Sequence, residues 1–159
     1  MEAARSATLD DVPAIVELAT RLREQVAAFR GSDLWAAREA KSGDLTHVYS
    51  ELIADPHVDV VVGTIDDVVF GFGVGERERL ADGRLLGVIS DLYVEPDARD
   101  IGVGEAVVSE LLERFRRDGC AGVDAWALPG DRNTKNFFET HGFVSRLIVA
   151  HKRLGDEEA

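Results

Sequence analysis

The sequence predicts an α/β protein in which helices flank one mixed, mostly antiparallel sheet. Three observations lead there. Three apolar, β-branched runs, at 57–65, 68–74 and 86–94, follow one another with turn residues between them, as antiparallel hairpins do. The third run stops at Glu95-Pro96-Asp97 and leads into Arg99-Asp100-Ile101-Gly102-Val103-Gly104-Glu105, which reads as a loop turning into a helix. Val103, Val107, Leu111 and Phe115 then recur every fourth residue, and a further run at 122–128 lies parallel to the third strand if the crossover is ordinary.

Taken in order, Arg5-Ser6-Ala7-Thr8-Leu9 reads as a short first strand. Asp10-Asp11 are placed to cap the following helix, whose first turn tolerates Pro13 and whose apolar face is Ile15, Leu18, Ala19, Leu22 and Val26. The pattern breaks at Gly31-Ser32-Asp33, where Asp33 is expected to cap a short helix carrying Leu34 and Trp35 as a lid. Asp44 caps a third helix with Leu45, Val48, Leu52 and Ile53 on one side. Asp66-Asp67 and Asp82-Gly83 are the hairpin turns, and Asp118-Gly119 ends the long helix. After the strand at 122–128, Pro129-Gly130-Asp131 precedes a short helix at about 132–140 that ends by Gly142, and 143–153 is expected as a last strand. Residues 1–154 read as a single domain and 155–159 as an acidic, solvated tail.

With 159 residues, 45% of them hydrophobic, the chain can build a substantial core. A formal charge of −12 argues against nucleic acid as a partner. No apolar run reaches the length of a membrane span and no signal peptide is evident, so a cytoplasmic protein without a membrane partner is expected. Cys120 is the only cysteine, which excludes an intramolecular disulfide and reads as packing. No metal site is expected.

A strand, a glycine-bearing loop and a helix start gather unpaired backbone N–H groups at one spot, where the helix dipole adds roughly half a positive charge. Such a place binds anions, phosphate above all. A Cβ on Gly102 or Gly104 would hold a bulky pyrophosphate away from those amides; a tight turn that brings helix to strand explains the same glycines. The loop lacks the Lys-Ser/Thr of a nucleoside-triphosphate loop and the glycine spacing of a dinucleotide fingerprint.

Three stretches, in this order, resemble the GNAT superfamily of N-acetyltransferases. The strand from Ile89 to Val94 with the Arg99-x-x-Gly102-x-Gly104 loop resembles the family's acetyl-CoA motif. Asn136-Phe137-Phe138-Glu139-Thr140-His141-Gly142-Phe143 resembles its C-terminal Leu-Tyr-Glu-x-x-Gly-Phe element. The opening Arg5-Ser6-Ala7-Thr8-Leu9-Asp10-Asp11 resembles the way many members begin.

The resemblance implies a sheet splayed at an acetyl-CoA cleft and direct transfer of an acetyl group to a primary amine within a ternary complex. It implies that Arg99, Asp100 and the amides from Ile101 through Gly102, Val103 and Gly104 to Glu105 hold the pyrophosphate. Leu92, Tyr93 and Val94 would pair with the pantetheine arm, and Asn133 and Phe138 would complete the cofactor contacts. Asp91, on the same strand face as Tyr93, is the candidate for taking up the amine proton or holding an ammonium, with a surface carboxylate as the other reading. Phe138 stands where members commonly carry a proton-donating tyrosine, so Tyr93, Tyr49, His141 or water must substitute. Asp131 stands where many carry an asparagine, with Asn133 displaced by two. The acceptor is a small-molecule, peptide or protein amine, and a homodimer is a family-level expectation. The rival reading is a non-catalytic acyl-CoA sensor or interaction module with the same fold.

Overall fold

Hairpins join the second, third and fourth strands, and their turns are set by one or two residues at positive φ. In the computed structural model, which describes residues 1–155, Asp66 and Asp67 take positive φ angles of 49° and 69° and reverse β2 (Asp59–Ile65) into β3 (Val68–Arg79). Gly83, at φ 90°, turns β3 into β4 (Leu85–Val94). β1 (Glu2–Ser6) pairs antiparallel with β2, and β5 (Gly122–Ala125) lies parallel to β4, so the sheet order is β1-β2-β3-β4-β5.

Helices α1 (Val12–Val26), α2 (Ser32–Arg38) and α3 (Leu45–Ala54) connect β1 to β2. Ile15, Leu18 and Ala19 of α1 and Tyr49 of α3 bury one face of the sheet over Val60, Val62, Phe72 and Val74. The opposite face carries α4 (Val103–Arg117) and α5 (Arg132–Thr140), with Val107, Leu111, Phe115 and Phe138 packed on Val61 and Ile89.

The strand glycines let α4 lie this close. Gly71, Gly73 and Gly75 alternate along β3 and so share one face, where Gly63 of β2 and Gly87 of β4 join them. A Cβ would come within 2.6 Å of Val103 Cγ1 from Gly63, 2.8 Å of Val107 Cγ1 from Gly73, and 2.8 Å of Phe115 from Gly75 or Gly87. Val103, Val107, Leu111 and Phe115 fill that groove and are almost wholly buried.

Several expectations are corrected. β1 starts at Glu2 and ends at Ser6, and a 3-10 turn at Leu9–Asp11 precedes α1. Asp11 does not cap α1; its carboxylate bends back to the Thr8 N–H at 2.8 Å and forms a two-armed ion pair with Arg5. Asp33 lies inside the first turn of α2, whose N-cap is Gly31 at φ 82°. Asp44 does cap α3, accepting from Thr46 N at 3.1 Å. β5 stops at Ala125 instead of 128 because Trp126, Ala127 and Leu128 turn away from β4.

No strand forms over 143–153 among the described residues. Phe143 packs on Phe138, but Val144, Leu147, Ile148 and Val149 are exposed. A strand needs a ladder of backbone partners. This segment is tethered by side chains instead, through the two-armed pair of Arg146 with Asp124 and the contact of Arg153 with Asp33. The acidic tail expected at 155–159 lies, apart from Gly155, outside the described residues. No helix is long and apolar enough to cross a membrane, again among the described residues.

Candidate active site

A register step in β4 creates the site. β4 and β5 pair only from Leu86 opposite Gly122 to Ile89 opposite Ala125, after which the strands separate. On the other edge, Ile89 lies opposite Gly75 while Asp91 lies opposite Val74, so Ser90 is an inserted residue, a β-bulge. The bulge reverses the faces of the strand beyond it. Ile89 faces α4, Asp91 and Tyr93 face α1 and α3, and Val94 returns to the α4 side against Val103.

The same step decides which backbone groups open into the gap. Glu95 N–H donates to Phe70 O at 2.8 Å, toward β3, and antiparallel alternation gives Tyr93 and Asp91 the same direction. Leu92 and Val94 therefore turn their N–H and C=O toward the separating β5. The Val94 carbonyl accepts from Arg99 Nε at 2.9 Å; the Leu92 groups face the cleft.

The cleft is narrow, about 70 Å³. Leu22, Gln25 and Val26 of α1 and Trp35 of α2 form one wall, and Ile89, Ser90 and Leu92 form the floor. Trp126, Ala127 and Leu128 close the far side with Asp131, Thr134 and Phe138. Asp131 caps α5 by accepting from Thr134 N at 3.2 Å and Thr134 Oγ1 at 2.8 Å.

Beneath Ser90 lies a buried charge cluster. Lys41, from the loop between α2 and α3, donates to Ser90 Oγ at 3.1 Å and Glu76 Oε2 at 2.9 Å and lies 3.7 Å from Asp91 Oδ1. Tyr49 Oη donates to Asp91 Oδ2 at 2.6 Å. Burial pushes the Asp91 carboxyl above its ordinary value against the opposing pull of Lys41 and Tyr49. Burial acts the same way on Glu76, but the Ser90 hydroxyl and Lys41 outweigh it and hold this carboxyl low. Tyr49, buried and facing Asp91, is pushed far up and stays a proton-bearing donor.

The sequence-derived residues divide between the cleft and the core. Leu92 and Phe138 line the cleft. Asp91 is no surface carboxylate: it is 4% exposed, does not line the cleft, and turns toward Tyr49 beneath α1 and α3, with Lys41 between it and Ser90. Tyr93 is buried on that side too, with the Arg99 guanidinium 5.3 Å over its ring. Asn133 is exposed and does not line the cleft; Thr134 does. Tyr49 is engaged with Asp91, and His141 packs on Phe137 at 4.5 Å between ring centres.

The loop before α4 is a 3-10 turn, Pro96–Ile101, in which Asp100 and Ile101 are exposed. Arg99 ties the loop to α1 through Gln25. Gly102, at φ 95°, is the N-cap of α4 and offers no side-chain cap, so the N–H groups of Val103, Gly104 and Glu105 have no acceptor within the helix. Gly104 also makes room for a neighbouring side chain. A Cβ there would meet the Phe137 ring at 3.1 Å, so the glycine admits that ring against the helix start. Ser90, Lys41, Glu76 and Trp126 are the participants missed by sequence reasoning. Ser90 alone had a signal, as a polar residue between Ile89 and Asp91 in an apolar strand.

Comparison with known proteins places the fold. A glucosamine-6-phosphate N-acetyltransferase from Arabidopsis thaliana superposes with a TM-score of 0.71 at 17% identity, covering 98% of this chain and 99% of that one. An aminoglycoside acetyltransferase from an uncultured soil metagenomic sample, in complex with trehalose, gives 0.71 at 17% identity over 98% and 97%. A variant of the BH1408 protein from Bacillus halodurans gives 0.80 at 17% identity over 95% and 98%. No curated protein matches by sequence. The family model described as Acetyltransferase (GNAT) family matches residues 22–143, which takes in the cleft, the glycine loop and α5, and the chain belongs to that family.

Proposed function

We propose that this protein is an acetyl-CoA-dependent N-acetyltransferase that acts by direct transfer to a primary amine in a ternary complex. The observation that carries this reading is the separation of β4 from β5 beyond Ile89, which leaves Leu92 N–H and C=O facing a cleft beside the uncapped start of α4. An amide-rich pantetheine arm fits such an edge as an added strand, and a pyrophosphate fits the amides of Val103, Gly104 and Glu105. Acetyl-CoA supplies the activated acetyl group. Leu92 N–H, facing the cleft, would donate to the thioester carbonyl oxygen, the place where charge develops.

The amine arrives charged and must lose a proton before it attacks. Ser90 Oγ, turned into the cleft by the bulge, takes that proton as its own passes to the Glu76 carboxylate, which Lys41 keeps ionised. The C–N bond then forms, the C–S bond breaks as the nitrogen gives up its second proton to water, and the thiolate leaves toward the open side. With a reference thiol pKa near 8.5, coenzyme A departs without a strong acid, which accommodates Phe138. Asp91 is a positioning residue in this scheme: with Tyr49 it holds Lys41 against Ser90.

Calorimetry for acetyl-CoA, run beside a thiol-release assay over a panel of amines, tests the proposal. The wild type is expected to bind and transfer. Glu76→Gln is expected to bind acetyl-CoA and lose turnover on the order of a hundredfold to ten-thousandfold, most strongly at low pH where free amine is scarce. Binding without transfer to any amine, peptide or protein lysine would replace the enzyme with a non-catalytic acyl-CoA sensor.

A further inference from the structure

Arg23 lies on α1 between the cleft residues Leu22 and Gln25 and lines a second cavity of about 190 Å³. Ser32, Asp33, Trp35 and Ala36 of α2 form its other wall. Val26 and Trp35 line both cavities, so the second adjoins the first across these two side chains.

Nη2 of Arg23 is closed off from solvent and has no hydrogen-bond partner among the described residues. Such a donor is costly to leave unmade, and more so when it carries charge. Arg77 Nε is similarly enclosed, but it lies 2.9 Å from an Asp118 carboxylate oxygen. Arg30, Arg117 and Arg132 also lack ion pairs among the described residues, yet they are exposed, and water satisfies them. Scarcity of acids does not explain Arg23, because the chain has 30 acidic residues to 18 basic ones. Asp33, in the same cavity, is engaged by Arg153 at 3.0 Å.

We propose that the acceptor amine carries an anionic oxygen group, a carboxylate or a phosphate, which Arg23 binds while the amino group reaches Ser90 past Trp35. The inference rests on the acetyl-transfer reading of the neighbouring cleft. A guanidinium matches two oxygens of such a group at once, and burial beside a tryptophan strengthens the contact relative to water. The net charge of −12, which already counts Arg23, disfavours an anionic acceptor at long range, so recognition of the anion rests on the local contact with this guanidinium.

The test compares β-alanine and O-phosphoethanolamine with propylamine as acceptors for wild type, Arg23→Met and Arg23→Lys, with acetyl-CoA calorimetry as the check on folding. In the wild type kcat/KM for one of the two anionic acceptors is expected to exceed that for propylamine by about tenfold or more. Arg23→Met collapses that ratio through KM, and Arg23→Lys restores part of it; the better of the two anionic acceptors tells carboxylate from phosphate. Preference of the wild type for propylamine, or an equal loss on all three acceptors in Arg23→Met, overturns the proposal. A second arm measures thermal shifts with N-acetyl-β-alanine and N-propylacetamide in the presence of coenzyme A. Stabilisation of the wild type by the anionic compound alone, absent in Arg23→Met, upholds the anion site even if no amine is acetylated, which separates its fate from that of the enzymatic reading. No shift with either compound, together with no wild-type preference for O-phosphoethanolamine over propylamine, counts against Arg23.

Discussion

Ser90 and Asp91 are neighbours in the chain, yet they meet different environments because one inserted residue sets the face of each. Ser90 faces the cleft; Asp91 enters the core beside Tyr49. Asp11 shows a second case in which a carboxylate's partners, and not its place in the chain, decide its role. Arg5 first, and Thr8 next among the favourable partners, hold its carboxyl below the ordinary range despite burial. A lowered folded value means that the unfolded chain takes up the proton first as pH falls. The stability Asp11 contributes is therefore present above the unfolded value, about 4, and is lost as pH drops through the folded one. Asp11→Asn is expected to lower stability by about 1 kcal/mol near neutrality, a figure kept small because the Arg5 side chain is 45% exposed. Urea denaturation near neutrality and again at about pH 3 checks this, with the gap closing at the acid end.

At the scale of elements, α4 and the glycine-paved face of the sheet act as a pair. Helix periodicity made Val103, Val107, Leu111 and Phe115 legible as a buried stripe, but the alternating glycines of β3 did not announce that they were its socket. Gly87 and Gly122 separate the effect cleanly. A Cβ on Gly87 would stand 2.8 Å from the Phe115 ring, whereas one on Gly122 would meet nothing within 4 Å. Gly87→Ala is expected to cost about 1–3 kcal/mol by overpacking, and Gly122→Ala to change stability by about half a kcal/mol at most. Equilibrium unfolding of the two variants decides it, and equal losses would show that the socket yields easily.

At the scale of the whole molecule, charge does structural work where β2, β3 and α4 meet. Asp59 joins Arg77 at 2.6 Å and Arg114 at 3.1 Å, and Arg114 reaches on to Ser6 at the end of β1. Arg77 and Arg114 are 11% and 17% exposed, and without Asp59 each keeps one carboxylate, Asp118 or Glu110, while the guanidinium nitrogens that faced Asp59 are left poorly solvated. Asp59→Ala is expected to lower global stability by ~1–3 kcal/mol, read as a lower urea midpoint with an unchanged slope. The order of elements, the hairpins, the helix stripes and the strand–loop–helix unit with its glycines follow from the sequence by itself, because period, turn chemistry and chain direction are local properties. Where the C-terminal strand was expected, the same local signals had no ladder to join, and the segment stayed unpaired. The site followed a different logic. Leu92 and Phe138 could be named from the chain, but the bulge at Ser90, the Lys41 and Glu76 beneath it, and Phe137 over Gly104 arise from residues 14 to 49 positions apart. Pairing register and burial are set by neighbours in space, so only the tertiary structure decided which carboxylate lies beside Ser90 and which meets Tyr49 in the core.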